Sequence, residues 1–155
     1  MPRETSVRVS DLLEPSDVFA NLRAADKGRA LRELARHAAA FAKVPEPVIH
    51  DALLAREQLG STGVGAGVAM PHARIAGLNA FHGIFARLAK PIDFDAVDGR
   101  PVDLIFLILA PDGADSLAAL AWASRALRDP ATAKRLRDAA DADALYAVLA
   151  EPSGG

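Results

Sequence analysis

Two periods of hydrophobic recurrence divide this chain. From Asp26 to Lys43, the residues Leu31, Leu34, Ala38 and Phe41 return at steps of three and four, which is one apolar face of a helix. Asp26 precedes that run as a natural N-cap, and Pro45 and Pro47 end it and open the next helix. This second helix runs to about Leu59, with Ile49, Leu53 and Arg56 on one face. Ahead of both, Val9 to Leu13 forms a short helical turn closed by Pro15, and Val18 to Leu22 reads as a short strand. Two further strands follow at Val68–Met70 and Phe81–Leu88, then a loop from Pro91 to Pro101 with an Asp98-Gly99 turn. Val102 to Ala110 is apolar on both faces after Asp103, the pattern of a central strand covered by helices on each side. Leu117, Leu120, Ser124 and Leu127 mark a third helix, and Ala133 with Leu136 a fourth. Ala144, Leu145, Val148 and Leu149 mark a fifth. The order of elements predicts an α/β fold, a single-domain helix–sheet–helix sandwich. Residues 1–8 and 151–155 are expected to be flexible ends of a domain spanning residues 9–150.

Composition narrows the function classes. At 155 residues one domain is the simplest reading, and the 51% hydrophobic content suffices for a sizeable core. The net charge of −2 argues against a nucleic-acid footprint, and Arg32, Arg36, Arg125, Arg128, Arg135 and Arg137 read as solvated helix faces. With no cysteine there are no disulfides and no thiolate metal sites, and a cytoplasmic setting fits. The longest strongly apolar run, Leu104 to Ala110, is far short of the roughly 20 residues that span a bilayer. No membrane insertion is therefore expected.

The chemistry concentrates between Arg56 and His72. Three closely spaced glycines, Gly63, Gly65 and Gly67, stand with the hydroxyls of Ser61 and Thr62, and a histidine directly follows Pro71. A glycine run lets backbone N–H groups approach a bound anion, and an arginine fork suits phosphoryl oxygens. A histidine near neutrality is a usable nucleophile. Known phosphate motifs do not fit. Gly60 and Gly65 have Walker spacing, but Ala66 and Gly67 follow where lysine and a hydroxyl are needed. A dinucleotide fingerprint from Gly63 ends on Val68, and from Gly65 on Met70. A plain helix–strand connection with an incidental His72 is the competing reading, because glycine clusters often mark turns.

Arg56-Glu57, Ser61-Thr62-Gly63, Gly65, Gly67 and Met70-Pro71-His72 together resemble the signature of the fructose/mannitol-type enzyme IIA domain of the bacterial phosphoenolpyruvate-dependent phosphotransferase system. The resemblance runs from Val9 to Leu149 and lies nearest the stand-alone nitrogen-regulatory members. It implies a mixed central sheet, with His72 as phosphoryl acceptor and Arg56 as support for the phosphoryl group. Ser61, Thr62, Gly63, Gly65 and Gly67 are then expected to hold its oxygens. The donor would be a histidine-containing phosphocarrier protein, and neither metal nor other cofactor is needed. In the broad sense the chain would be a phosphotransferase, a phosphoryl carrier.

The family commonly has a second histidine at the start of the helix after the central strand. Ser116 stands at that position here, a possible second layer around His72 that can donate a hydrogen bond but cannot become a cation. Of the other histidines, His37 and His50 lie amid charged helix neighbours, while His82 sits on a strand that can run beside the glycine run. No metal-binding spacing is present. Trp122 reads as core or a partly buried helix face. With no phosphocysteine-bearing IIB unit and no membrane IIC unit in this sequence, the resemblance implies a regulator of nitrogen or potassium type. Its phosphorylation state would select partners such as kinases or ion transporters. The alternatives are the IIA component of a fructose/mannitol-type uptake system, or a binding module that no longer transfers phosphate. Val64, Val68 and Met70 are expected to rim a shallow docking site around His72.

Overall fold

Six strands and five α-helices succeed one another over residues 8–151, the part of the chain that the computed structural model describes. In chain order they are β1 (Val18–Leu22), α1 (Lys27–Ala42), α2 (Glu46–Gln58), β2 (Gly63–Gly65), β3 (Val68–Ala69), β4 (His72–Ile75) and β5 (His82–Ile92). β6 (Val102–Pro111), α3 (Leu117–Arg128), α4 (Pro130–Asp138) and α5 (Ala142–Ala150) complete the fold. A 3₁₀ turn at Val9–Asp11 precedes them, in the place of the expected helical turn. The flexible ends expected at 1–8 and 151–155 fall almost wholly outside the described residues. At the margins, Arg8 N–H donates to Asp11 at 3.1 Å and Arg135 donates to the Glu151 carboxylate.

The sheet runs β1-β5-β6-β3-β2, with β4 also paired to β6. β6 is antiparallel to β5 and parallel to β3 and β4, so the sheet is mixed. Alternation along the central strands explains the layers, because successive side chains leave opposite faces. Ile105, Leu107 and Leu109 join Ile84, Ala86 and Leu88 beneath α1 and α2, against Leu31, Leu34, Ile49 and Leu53. Leu104, Phe106 and Ile108 join Phe85 on the other face, beneath α3, α4 and α5, against Ala123, Leu127, Leu136 and Leu145. Phe106 meets Trp122 edge-on at 5.7 Å, which fits the helix-face reading of that tryptophan. Alanines at 30, 35, 38, 119 and 123 bring the helix backbones close to the sheet.

Several boundaries differ from the sequence pattern. Phe41 does not close the apolar face of α1: it is 50% exposed and stacks on His82 at 6.0 Å. α3 is rotated from the expected face, burying Ala119, Ala123 and Leu127 while Leu117 is exposed. β5 extends through Pro91 to Ile92, because its pairing with β6 shifts register between Arg87 and Ile92. An irregularity is where a strand tolerates a residue without an N–H. Arg137 is exposed, as expected of a helix face, yet it is also tied down: its guanidinium forks onto Asp103 at 2.7 and 2.9 Å and donates to the Ala66 carbonyl.

The two phenylalanine environments give a direct test. Phe85→Ala empties a fully buried position and should cost about 3–5 kcal/mol in urea unfolding. Phe41→Ala, at a half-exposed position, should fall well below that range, at most about 1 kcal/mol.

Candidate phosphoryl-acceptor site

His72 opens β4 directly opposite Ile108 of β6. Pro71, which has no N–H to give, separates β3 from β4, yet its carbonyl accepts from Ile108 N–H at 3.0 Å. The chain is thus held to β6 on both sides of the break. Within this frame the imidazole makes two hydrogen bonds. Nδ1 lies 2.9 Å from the Met70 carbonyl, and a carbonyl can only accept, so Nδ1 carries the proton. Nε2 then has a lone pair, and it accepts from Arg56 Nε–H at 3.2 Å. Two independent partners therefore specify one tautomer with Nε2 as the nucleophilic atom.

Arg56 sits in the last turn of α2, as its spacing with Ile49 and Leu53 predicts, and its Nη1 donates to the Gly60 carbonyl at 2.8 Å. Glu57, next along the helix, turns inward. Its carboxylate accepts from Thr62 N–H at 3.2 and 3.3 Å and from the Thr62 hydroxyl. Lys27 of α1 pairs with it at 2.8 Å. Thr62 in turn accepts from Met70 N–H at 2.9 Å. A continuous path of hydrogen bonds leads from Glu57 through Thr62 and Met70 to the His72 ring. The sequence pattern assigns Glu57 and Lys27 no role; an acid three places before a Gly-Ser-Thr-Gly run is the available signal.

The glycine run does not form the expected cradle. Ser61 is spent on structure: its hydroxyl donates to the Phe94 carbonyl at 2.6 Å and accepts from Gly63 N–H at 2.9 Å. Thr62 is buried and fully engaged with Glu57 and Met70. Gly63 and Gly65 form β2, and Ala66 and Gly67 make the turn into β3, both with positive φ (59° and 80°) as a tight type I′ hairpin requires. A side chain at Gly67 would collide with Arg137 and Asp103. The Gly67 carbonyl accepts from Asp103 and Leu104, while His72 pairs with Ile108. Five residues along a strand is roughly 16 Å. Gly65 and Gly67 therefore shape the hairpin tip, away from the imidazole.

The expected docking rim also changes: Val68 and Met70 are core residues, 0% and 8% exposed, and Val64 is half-buried. Ser116 caps α3, but its hydroxyl makes no capping hydrogen bond, Leu117 N–H being held instead by Asp115 at 2.9 Å. His82 is not a neighbour of the glycine run. Its Nε2 is 3.6 Å from the buried Asp17 carboxylate, whose other oxygen accepts from Glu14 N–H at 2.8 Å. Burial pushes the Asp17 carboxyl above its ordinary value, against the pull of the Glu14 N–H and of His82. His37 packs on Phe19 at 4.3 Å, and burial lowers its pKa. Among the described residues no group of three or more His, Asp or Glu side chains is arranged to hold a metal, and no helix is long and apolar enough to cross a membrane.

An imidazole whose tautomer is fixed by a carbonyl and whose other nitrogen meets one arginine thus lies on a mixed sheet between two helical layers. Residues 11–151 match the family model for the phosphoenolpyruvate-dependent sugar phosphotransferase system EIIA 2, and the chain belongs to that family. Its relatives include nitrogen regulatory proteins. That of Bradyrhizobium diazoefficiens is 49% identical over 146 residues, covering 93% of this chain and 95% of the relative. That of Pseudomonas aeruginosa is 36% identical over 154 residues, covering 96% and 99%. The solved nitrogen regulatory protein IIA-Ntr of Neisseria meningitidis superposes with a TM-score of 0.84 at 32% identity, covering 91% of this chain and 98% of that one. Escherichia coli mannitol IIA, in its complex with phosphorylated mannitol IIB, has the same fold, with a TM-score of 0.76 at 20% identity.

Two measurements check this geometry. Long-range ¹H–¹⁵N spectra at pH about 8, where a typical histidine is neutral, should identify His72 as the Nδ1–H tautomer. A proton on Nε2 would contradict both hydrogen bonds. Asp17, with its raised pKa, contributes stability that is fully present below the unfolded carboxylate value and lost as pH rises through the folded one. Asp17→Asn should therefore gain stability relative to the parent as pH rises above about 4, the ordinary carboxylate value, in urea titrations.

Proposed function

We propose that this chain accepts a phosphoryl group on His72 Nε2 from a histidine-containing phosphocarrier protein, and that the phosphorylation state selects its regulatory partners in the cytoplasm. The observation that carries the reading is the pair of hydrogen bonds on the imidazole, Met70 carbonyl to Nδ1 and Arg56 to Nε2. In the transfer, the Nε2 lone pair attacks phosphorus and the phosphorus–nitrogen bond of the donor breaks, its electrons returning to the donor ring. His72 gains positive charge as it is phosphorylated, and the Met70 carbonyl faces the N–H where that charge concentrates. Arg56 turns its fork from nitrogen to the incoming oxygens. Phosphoryl transfer needs little beyond positioning and charge stabilisation, so one arginine is a sufficient core. Ser116, with a hydroxyl free of capping duty at the start of α3, is a further donor candidate.

The regulatory half rests on relatives. Those with high identity over their full length are named as nitrogen regulatory proteins, whereas the mannitol-type proteins share the fold at low identity. This favours a regulator over a sugar-uptake component. Leu59, 85% exposed three residues beyond Arg56, and Leu117, 71% exposed beside Ser116, offer apolar contact for a partner. A phosphohistidine there adds up to about two negative charges, which would change which surfaces can dock.

Incubation with a phosphoenolpyruvate-driven donor chain, read by intact mass, tests the acceptor. The wild type should gain one acid-labile, base-stable phosphoryl group and His72→Ala none; uptake by His72→Ala would refute the assignment. Arg56→Ala should slow transfer by on the order of 10²–10³, with incomplete rescue by Arg56→Lys. Pull-downs with wild type in both states, His72→Ala and His72→Asp should return different partner sets. Identical sets would favour a binding module without a phosphorylation switch.

A further inference from the structure

A cleft of about 900 Å³ opens where the end of β1 meets α1 and α2, within the range of small-molecule sites. None of the residues around His72 lines it. His50 and Leu54 of α2 do, and Leu54 is two positions, roughly 200° of helical rotation, from Arg56. The cleft therefore occupies a different side of α2 from the imidazole.

Its chemistry is uneven. Half-buried Ala24 and Leu54 make an apolar floor, exposed Ala25 and Ala89 add to it, and Arg23, Arg29, Arg32 and Lys90 share the lining. Only two acids, Asp26 and Glu33, share the lining, and both are occupied. Asp26 accepts from Arg29 N–H at 2.8 Å as the α1 cap. Glu33 is held by Arg36, outside the cleft, at 2.7 Å. Among the described residues, Arg23, Arg32 and Lys90 form no ion pair, while Arg29 reaches Asp26 only at 4.0 Å. Four cations against two acids leave this lining with an excess of positive charge, in a chain whose net charge is −2, and that excess favours an anion.

We propose that this cleft is a binding site for a nucleoside di- or triphosphate. Arg23, Arg32 and Lys90, which form no ion pair among the described residues, can each meet a phosphate oxygen, so a chain of two or three phosphates engages more of them at once than a single phosphate can. Guanidinium forks suit phosphate oxygens in pairs. The apolar floor takes the base and sugar, which a free polyphosphate lacks. Gly28, also in the lining, adjoins Lys27, the partner of Glu57, so the cleft shares its helices with the supports of the acceptor site.

The full chain is titrated by calorimetry with ATP, ADP, AMP, inorganic pyrophosphate and inorganic phosphate, in parallel with ¹H–¹⁵N correlation spectra. ATP and ADP should bind with Kd below about 1 mM, AMP and pyrophosphate more weakly, and phosphate weakest. Shift changes should cluster on residues 23–33, 50–54 and 89–90. The double reversal Arg23→Glu/Arg32→Glu should weaken ADP binding at least about tenfold, and Lys90→Ala should weaken it less, on a scale where tenfold is one decade of Kd. The double reversal Arg125→Glu/Arg128→Glu, an equal charge change at exposed positions outside the cleft, should leave it unaltered. His72→Ala should bind as the wild type does, so this test stands apart from phosphoryl acceptance. No saturation at millimolar ADP, equal affinity in the double reversal, or shift changes centred on another face would each overturn the proposal. Pyrophosphate binding as tightly as ADP would overturn the role of the floor, and with it the assignment to a nucleotide.

Discussion

The Glu57 side chain, 6% exposed, lies where α1, α2 and the Ser-Thr-Gly segment meet. Removing a carboxylate from water is costly unless its oxygens are met by donors and a counter-charge. Lys27 supplies the charge, and the Thr62 N–H and hydroxyl supply the donors. Lys27 is itself steadied over the Phe94 ring, 5.0 Å from its centroid. Because Glu57 adjoins Arg56, and Thr62 is bonded to the Met70 peptide that holds the imidazole, one carboxylate registers the arginine against the histidine. A site whose two key atoms come from a helix end and a strand start would otherwise drift with every small movement between those elements.

Much of the fold was legible because its strongest signals are local. The α1 period, the proline pair before α2 and the two-sided apolar run of β6 each found their counterpart in space. Legibility failed where side chains carry no information. β2 is Gly63-Val64-Gly65, too poor in side chains to read as a strand, and β4 is only four residues long. The same glycines misled the site reading. Glycines that permit phosphate contact and glycines that permit a type I′ turn are identical in sequence, and only the register against β6 separates them. The order of the whole motif pointed to His72 and Arg56 together, and the two side chains meet in space. Glu57 belongs to that motif, but its inward turn depends on Thr62 and Lys27, which periodicity cannot bring together.

The sheet also explains how one scaffold serves proteins of different duties. Nitrogen regulatory proteins and mannitol IIA share the layered fold at widely different identity. Both core clusters are built by alternation along β5 and β6, which constrains size and polarity at each position but not residue identity. Exposed positions such as Leu59 and Leu117 are free of that constraint.

The contact between Arg56 Nε and His72 Nε2 has a bearing on reversibility. In the resting molecule the arginine is already satisfied by a nitrogen acceptor, and in the transfer proposed above it would be satisfied by oxygen instead. The number of hydrogen bonds it makes need not change between the empty and loaded forms. A carrier whose clamp is equally content in both states holds its cargo without trapping it, and the direction of flow is left to the relative supply of donor and acceptor.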